Sequence, residues 1–455
     1  MKKLSACIFL FIISFCFILT GCSGANIGMP ENYLQVTSNG GFVVSVGNTL
    51  YFSNAYKSYS NLTEASDNDG DKVAQHSLKR VGVNSNDQKT LVENEEGKVE
   101  YANLVNKIAG YETSNIFVVG EYLYFTSPNI HKNDSKEAED YNTYEFELSS
   151  LFKIKLDGSG LKEIYTTETS NAKFYLVGGE QKSILVFDDS KIMQLKCYEN
   201  ANSLTTLAEK VTSTIFPNNQ GEELTNVYYT IAREEDDNFT GNIVKVLNVS
   251  TGEISDVSGY SKNGETITLI SYDNNRLFYL RKGLPNQDDA LYSNDFSNGY
   301  ASEIRHKYTI DGFENGSDLL VVSNQEYDVN VFVFEYNNNI FMQDLSSTVD
   351  TTAVKLTTET SEIAFVSGTY VYYTTEAGIF RVSVLTKNTQ QVSDKVANAD
   401  AVDFDGRYVY FYASVDGSTS GSYYLHRADV EAANNNLVNV ECISELLEED
   451  IVEEE

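Results

Sequence analysis

One pattern recurs along nearly the whole chain and limits what it can fold into: an apolar strand, a turn, then a short strand centred on an aromatic residue. The clearest aromatic strands are Leu50-Tyr51-Phe52, Leu123-Tyr124-Phe125, Val227-Tyr228-Tyr229, Leu277-Phe278-Tyr279, Val371-Tyr372-Tyr373 and Val409-Tyr410-Phe411. Leu185-Val186-Phe187 and Phe332-Val333-Phe334 are weaker copies. The eight centres run from residue 51 to residue 410, a mean spacing of about 51 residues. A repeat of this length is one supersecondary unit that cannot bury its own faces and must stack on its neighbours.

Each copy has the same surroundings. An apolar strand ending in a turn precedes it, as in Phe42 to Gly47, Ile116 to Gly120 and Ile363 to Gly368. A strand of alternating character follows it, as in Leu151 to Leu156, Ile243 to Leu247, Ile379 to Val384 and Tyr424 to Arg427. Period-two alternation marks half-buried strands, and no stretch sustains a helical period. A polar turn then leads to a weaker fourth strand, best seen in Asp157-Gly158-Ser159-Gly160 ahead of Leu161 to Tyr165. Only 4 Pro and no Trp against 31 Tyr and 24 Phe also suit sheets joined by polar turns. Four strands, A to D, at this period predict an all-β protein, a β-propeller of seven to eight four-stranded blades over residues 42–446. A sandwich of hairpins is the competing architecture, but a closed ring removes exposed sheet edges. Two segments are open as closing strands: Tyr33 to Val36 pairing with the last blade, or Leu437 to Val440 completing that blade alone.

The run Leu151-Phe152-Lys153-Ile154-Lys155-Leu156-Asp157-Gly158-Ser159-Gly160-Leu161 resembles the repeat unit of YWTD and TolB-like β-propellers. It is similar to units found in lipoproteins of Gram-positive bacteria and in the propeller of low-density-lipoprotein receptor-related proteins. One blade carries the full unit, and Leu123-Tyr124-Phe125-Thr126 is the nearest form of the YWTD tetrapeptide. The resemblance implies a propeller body.

Met1-Lys2-Lys3 and the apolar run from Cys7 to Leu19 form a signal-peptide pattern. That run has 13 residues, short of the ~20 that span a bilayer as a helix. Leu19-Thr20-Gly21-Cys22 resembles the lipobox of bacterial lipoproteins, which implies cleavage before Cys22 and a diacylglycerol on its sulfur. An ordinary secretory signal with a chance cysteine is the plainer reading. The expected organisation is a signal peptide over 1–21, then the lipidated cysteine, tether and candidate closing strand over 22–41, and an acidic tail over 447–455. The expected location is the outer face of the bacterial cell membrane, held through lipid. Cys197 and Cys442 fall in distant repeats and read as inert thiols rather than as a bridge.

There are 33 Lys and Arg against 66 Asp and Glu, a net charge of −33, which excludes a general nucleic-acid binder. It also opposes adsorption to anionic headgroups, so lipid would hold an acidic body at the membrane. The B–C connections are long at 53–73, 126–149 and 230–241, and in a propeller they share one face. Together they hold 57 residues and a charge of −9, above an even share. Tyr56, Tyr59, Tyr141, Tyr144 and Phe146 offer aromatic anchors there, and Glu234, Glu235, Asp236 and Asp237 a block of charge. This pattern predicts a docking rim for a protein or envelope polymer, especially a basic one. The plainer reading is that long loops of an acidic chain are acidic.

Asp67, Asp69 and Asp71 alternate as calcium ligands do, and calcium is the one cofactor the sequence suggests. Gly70 and Leu78 do not fit an EF-hand loop, so a solvated turn is the simpler account. His76, His131, His306 and His426 lie in different repeats without metal-ligand spacing. Nucleophile-elbow, phosphate-loop and Cys–His patterns are missing. The last twelve residues carry seven acids and read as a solvated tail. The function expected is a non-catalytic binding or interaction platform at the cell envelope. The alternatives are a propeller enzyme acting on envelope glycans or peptides, and a sensory or structural subunit of a membrane complex.

Overall fold

A sheet with two apolar faces needs a partner on each side, and a ring of sheets supplies both. The computed structural model describes residues 29–30, 33–37, 39–57, 77–82, 91, 95, 98–108, 116–132, 142–215, 226–232, 241–257, 266–273, 276–282, 290–295, 304–306, 320–324, 327, 329–345, 353–414, 422–435 and 437–446. Their strands form eight antiparallel sheets, blades 1 to 8, spanning 43–108, 116–166, 173–208, 211–256, 266–306, 320–355, 362–393 and 402–442. In every blade, strands A to D lie side by side in chain order. The protein is an eight-bladed β-propeller.

The aromatic strand is strand B of each blade, and its alternation serves two neighbours at once. Tyr51, Tyr124, Tyr228, Phe278, Val333, Tyr372 and Tyr410 each pack forward against the next blade. The residues on either side of each pack backward against the preceding one. In blade 3 the phase is one residue earlier than the sequence pattern places it: Leu185 packs forward, while Ile184 and Val186 pack backward. Eight apolar clusters result, one at each seam, and the cluster between blades 8 and 1 completes the ring.

Strand C adds a cation opposite the aromatic. Lys153 pairs across from Tyr124, Arg381 from Tyr372 and Arg427 from Tyr410. All three cations are buried, at 4%, 3% and 2% exposure. Each sits over the tyrosine that begins strand B, at 4.2 Å for Lys153 on Tyr122, 4.4 Å for Arg381 on Tyr370 and 4.7 Å for Arg427 on Tyr408. Their polar ends are also met. Lys153 reaches Asn200 in blade 3, and Arg381 reaches Asn434 in blade 8. Arg427 donates Nε and Nη2 to Glu441 at 2.9 and 2.7 Å.

Antiparallel order fixes two faces. The A–B turns and C–D loops emerge on one, here called the A–B face, and the B–C and D–A connections on the other, the B–C face. Gly47, Gly120 and Gly368 take φ of +57°, +60° and +59° in the two-residue A–B turns of blades 1, 2 and 7. Such tight hairpin turns require left-handed backbone.

Of the two segments open as closing strands, the C-terminal one completes the last blade, and the N-terminal one does not reach it. Val36–Thr37 pairs with Val46 and Ser45 on the inner edge of blade 1, not with the last blade. Blade 8 is completed from its own sequence by Val440–Cys442, which pairs with His426, Arg427 and Ala428. A clasp then joins blade 1 to blade 8. Beyond strand B of blade 1, Ala55–Lys57 crosses over and pairs with Ser422, Tyr423 and Tyr424 of blade 8. The buried Asn54 donates to the Glu445 carbonyl at 3.1 Å and accepts from its amide at 2.9 Å. Ser444 bonds to the Asn54 carbonyl, Lys79 pairs with Glu445, and the Tyr412 hydroxyl reaches the Ser53 carbonyl at 3.0 Å. Cys197 and Cys442 stand in blades 3 and 8 as free thiols.

Asn54→Ala leaves both Glu445 backbone groups without their partner in a buried seam. It is expected to cost about 2 kcal/mol, read as a lower urea midpoint with an unchanged slope. Thr251→Ala, in an exposed turn, should stay within about 0.5 kcal/mol of the parent.

Candidate functional site

The B–C face is built by three unequal features. Blade 2 contributes the largest. Its strands B and C, Tyr122–Lys132 and Asn142–Lys155, run 11 and 14 residues, against 5 to 8 in the B and C strands of the other blades. Much of the predicted 126–149 loop is therefore a paired hairpin, with His131 opposite Thr143, Ile130 opposite Tyr144 and Asn129 opposite Glu145. The ladder shifts between Pro128 and Asn129, and Phe146 falls in the resulting bulge. Proline lacks the amide that a continuous ladder would need there. Past Pro128 four residues of each strand stay paired, 129–132 with 142–145, roughly 13 Å at the usual rise.

Blade 1 contributes the second feature, and it corrects the sequence reading. Tyr56 is a strand residue opposite Tyr423, drawn onto blade 8, rather than part of a free loop. Blade 4 contributes the third, where Asn226–Ala232 and Asn242–Asn248 bracket the connection that holds the acidic block. Tyr59, Tyr141, Glu234, Glu235, Asp236 and Asp237 lie outside the described residues, as do Asp67, Asp69, Asp71 and the segment Leu19-Thr20-Gly21-Cys22. Of the expected rim, the described residues thus place the backbone of Tyr56, Tyr144 and Phe146 on this face, the first in the clasp between blades 1 and 8 and the others in the long hairpin of blade 2.

The channel end of blade 1 carries a second group of polar residues, which the sequence pattern does not reveal. Residues 35–41 run along the inner edges of blades 1 and 2. The Gly47 amide donates to the Gln35 carbonyl at 2.7 Å, Gly40 to Ile116 at 2.9 Å, and Ile116 to Gly41 at 2.8 Å. The buried Asn39 side chain donates to the Val118 carbonyl at 2.8 Å and accepts from its amide at 2.7 Å. Opposite lies Asp403, on the inner strand of blade 8. Its Oδ1 accepts from the Phe404 amide at 2.8 Å, while Oδ2 is enclosed without a hydrogen-bond partner. A Cβ built on Gly41 would come within 1.7 Å of that oxygen, so only glycine fits. Burial raises the Asp403 carboxyl to about 6, with Asp405 adding to the rise and the amides of Phe404, Val43 and Phe42 opposing it. No local motif announces this pair, because ring closure brings together residues 41 and 403.

The other strongly perturbed groups belong to packing. Burial raises the Tyr124 and Tyr410 phenols and lifts the Cys197 and Cys442 thiols to about 11. His426 is buried, its Nδ1 2.8 Å from the Tyr424 carbonyl and its ring stacked on Phe411. Among the described residues no three His, Cys, Asp or Glu side chains are grouped to hold a metal. The arrangement suits binding: a closed ring supporting one raised hairpin, with a strand clasp on the same face.

No family model matches the chain, and no curated protein matches it. Among solved structures it is similar to an oligogalacturonate lyase from Vibrio parahaemolyticus, at 10% identity and a TM-score of 0.40, covering 69% of this chain and 96% of that one. The β-propeller domain of the Trilobed protease from Pyrococcus furiosus aligns at 12% identity with a TM-score of 0.37, over 79% and 97% of the two chains. TolB from Acinetobacter baumannii aligns at 11% identity with a TM-score of 0.31, over 70% and 81%.

Because the folded-state value of Asp403 lies above its ordinary value of 3.8, its stabilising contribution is complete below about pH 4 and is lost as pH rises through about 6. Relative to Asp403→Asn, which does not titrate, the parent should lose up to about 3 kcal/mol of stability between pH 4 and pH 7. Urea unfolding of both proteins across that range measures the difference; parallel curves would contradict it.

Proposed function

We propose that the protein is a lipid-anchored extracytoplasmic propeller that serves as a binding platform at the cell envelope, with the B–C face as its docking side. The observation that carries this reading is the long hairpin of blade 2, which stands on the same face of the closed ring as the strand clasp between blades 1 and 8. Binding residues concentrate on segments held out from a rigid support. The acidic and tyrosine-rich composition of the same connections favours a basic protein or cationic envelope polymer. The signal-peptide pattern and the Leu19–Cys22 lipobox resemblance support an anchor at Cys22.

The test replaces 133–141 with Asn-Gly between Lys132 and Asn142, a turn that can close the hairpin. Parent and variant are crosslinked mildly in native membranes and purified in parallel. Capture of the partner should fall at least fivefold in the variant, with unchanged far-ultraviolet circular dichroism. It should also weaken in the parent when crosslinking is done at high salt, since exposed charge pairs are screened. Equal capture by parent and variant would remove the B–C face as the docking side.

A further inference from the structure

The chain enters the ring at a defined face. Val36–Thr37 runs antiparallel to strand A of blade 1, Val43–Val46, and the Gln35 carbonyl accepts from Gly47 in the A–B turn. Residues 33–35 therefore leave the channel on the A–B face, opposite the raised hairpin of blade 2.

Several exposed apolar side chains of the described residues stand on that face. Leu34 is 76% exposed beside the channel exit. Leu161, Tyr198, Leu385 and Leu437 project from C–D loops of blades 2, 3, 7 and 8, and Tyr327 from the A–B turn of blade 6. All six are on the A–B face. Among the described residues, Val396 is the one comparably exposed large apolar side chain in a loop of the B–C face.

Tether length agrees with this exit face. From Cys22 to Gln35 there are 13 residues, a reach of at most about 45 Å. To bring the B–C face to a membrane, the tether would have to cross from the inner strand to the rim, about 14 Å for four strands. It would then descend the ring, about 20 Å for strands of six residues, and clear the roughly 13 Å of paired hairpin on blade 2. Together these come to about 47 Å, which takes up the whole of that reach.

We propose that the A–B face is a membrane-contacting face, whose ring of exposed leucines and tyrosines seats in the headgroup layer of the membrane that holds Cys22. The proposal rests on the lipid anchor proposed above. The B–C hairpins then point away from the bilayer, toward whatever the envelope presents. Contact comes from apolar and aromatic side chains at the interface, where tyrosine is favoured. It does not come from Coulomb attraction, because an acidic body is repelled by anionic lipid.

The experiment uses the full chain, produced in a bacterium that processes lipoproteins and reconstituted into phosphatidylcholine vesicles. Single labelling cysteines are placed on the two ends of one blade: Asn388→Cys in the C–D turn of blade 7, and Glu376→Cys in its B–C turn, both exposed. The native thiols are suited to remain unlabelled, being held near 11 by burial. Flotation with the vesicles reports the anchor alone: the parent should float and Cys22→Ala should not. If Cys22→Ala floats as the parent does, the anchor reading fails, whatever the probes report.

Headgroup nitroxide lipids then report orientation. Quenching at position 388 should exceed that at 376 at least threefold, and Leu385→Asp with Leu437→Asp should halve it while flotation persists. Equal quenching at the two positions, or stronger quenching at 376, overturns the membrane-facing assignment even when the anchor holds. Quenching at 388 that appears only in native vesicles, and not in protein-free ones, assigns the face to a membrane-protein partner and likewise overturns it.

Discussion

Everything in this molecule depends on each sheet having a neighbour on both sides. Strand B of a blade sends its central side chain forward and its flanking ones backward, so a blade missing either neighbour would expose a row of aromatic and branched residues to water. Burying such a side chain fully is worth about 1.5–3 kcal/mol, which makes an open arc of seven seams much poorer than a closed ring of eight. Closure joins residues 391 apart in sequence, Asn54 and Glu445. The entropy of closing a loop grows only logarithmically with its length, so that separation costs little more than the spacing of one blade.

The same packing governs where the scarce positive charge goes. In a chain with twice as many acids as bases, Lys79, Lys153, Arg281, Arg381 and Arg427 are nearly withdrawn from solvent. Each of the cations over a strand-B tyrosine gains from the ring face and keeps hydrogen-bond partners for its head. Placing bases in the blades leaves the solvent-facing surface more acidic than the net charge alone indicates. Such a surface disfavours association with anionic partners on either face and leaves apolar or cationic complementarity as the routes to binding.

Sequence reading recovered the architecture because its determinants are local and periodic. The aromatic triplets, the alternating strand after them and the glycine turns before them all lie within one blade, and the described sheets follow them. Blade 3 shows the limit: Leu185-Val186-Phe187 is apolar throughout, so no polar position marks its phase, and only the neighbours reveal that Leu185 is the forward residue. The Tyr-x-Tyr openings at Tyr122, Tyr370 and Tyr408, each followed by a mid-strand base, were legible signals of the cation contacts. The closure was not legible. Ala55–Lys57 sits in a polar stretch that reads as loop, and its strand character comes from a partner at 422–424. For the docking rim, sequence supplied charge and aromatic content, while the extended hairpin of blade 2 arises from pairing across a proline that interrupts it.

Seven seams join segments that follow one another along the chain, whereas the eighth must choose its partner. Apolar packing is non-directional and tolerates neighbours of similar shape, so it specifies register poorly. Directional groups mark that seam and others alike. Asn39 and Asn54 each present an amide whose donor and acceptor replace a backbone pair, toward Val118 and Glu445, and Asn242 does the same between blades 4 and 5. A displaced register would strand such an amide without partners, at a cost of about 1–3 kcal/mol for each buried group. Asp403 goes further, since its carboxylate fits only against a residue with no Cβ, which ties blade 8 to Gly41 by shape as well as by charge. Its raised pKa is the electrostatic cost of that fit, tolerated where a unique closure matters more than maximal stability.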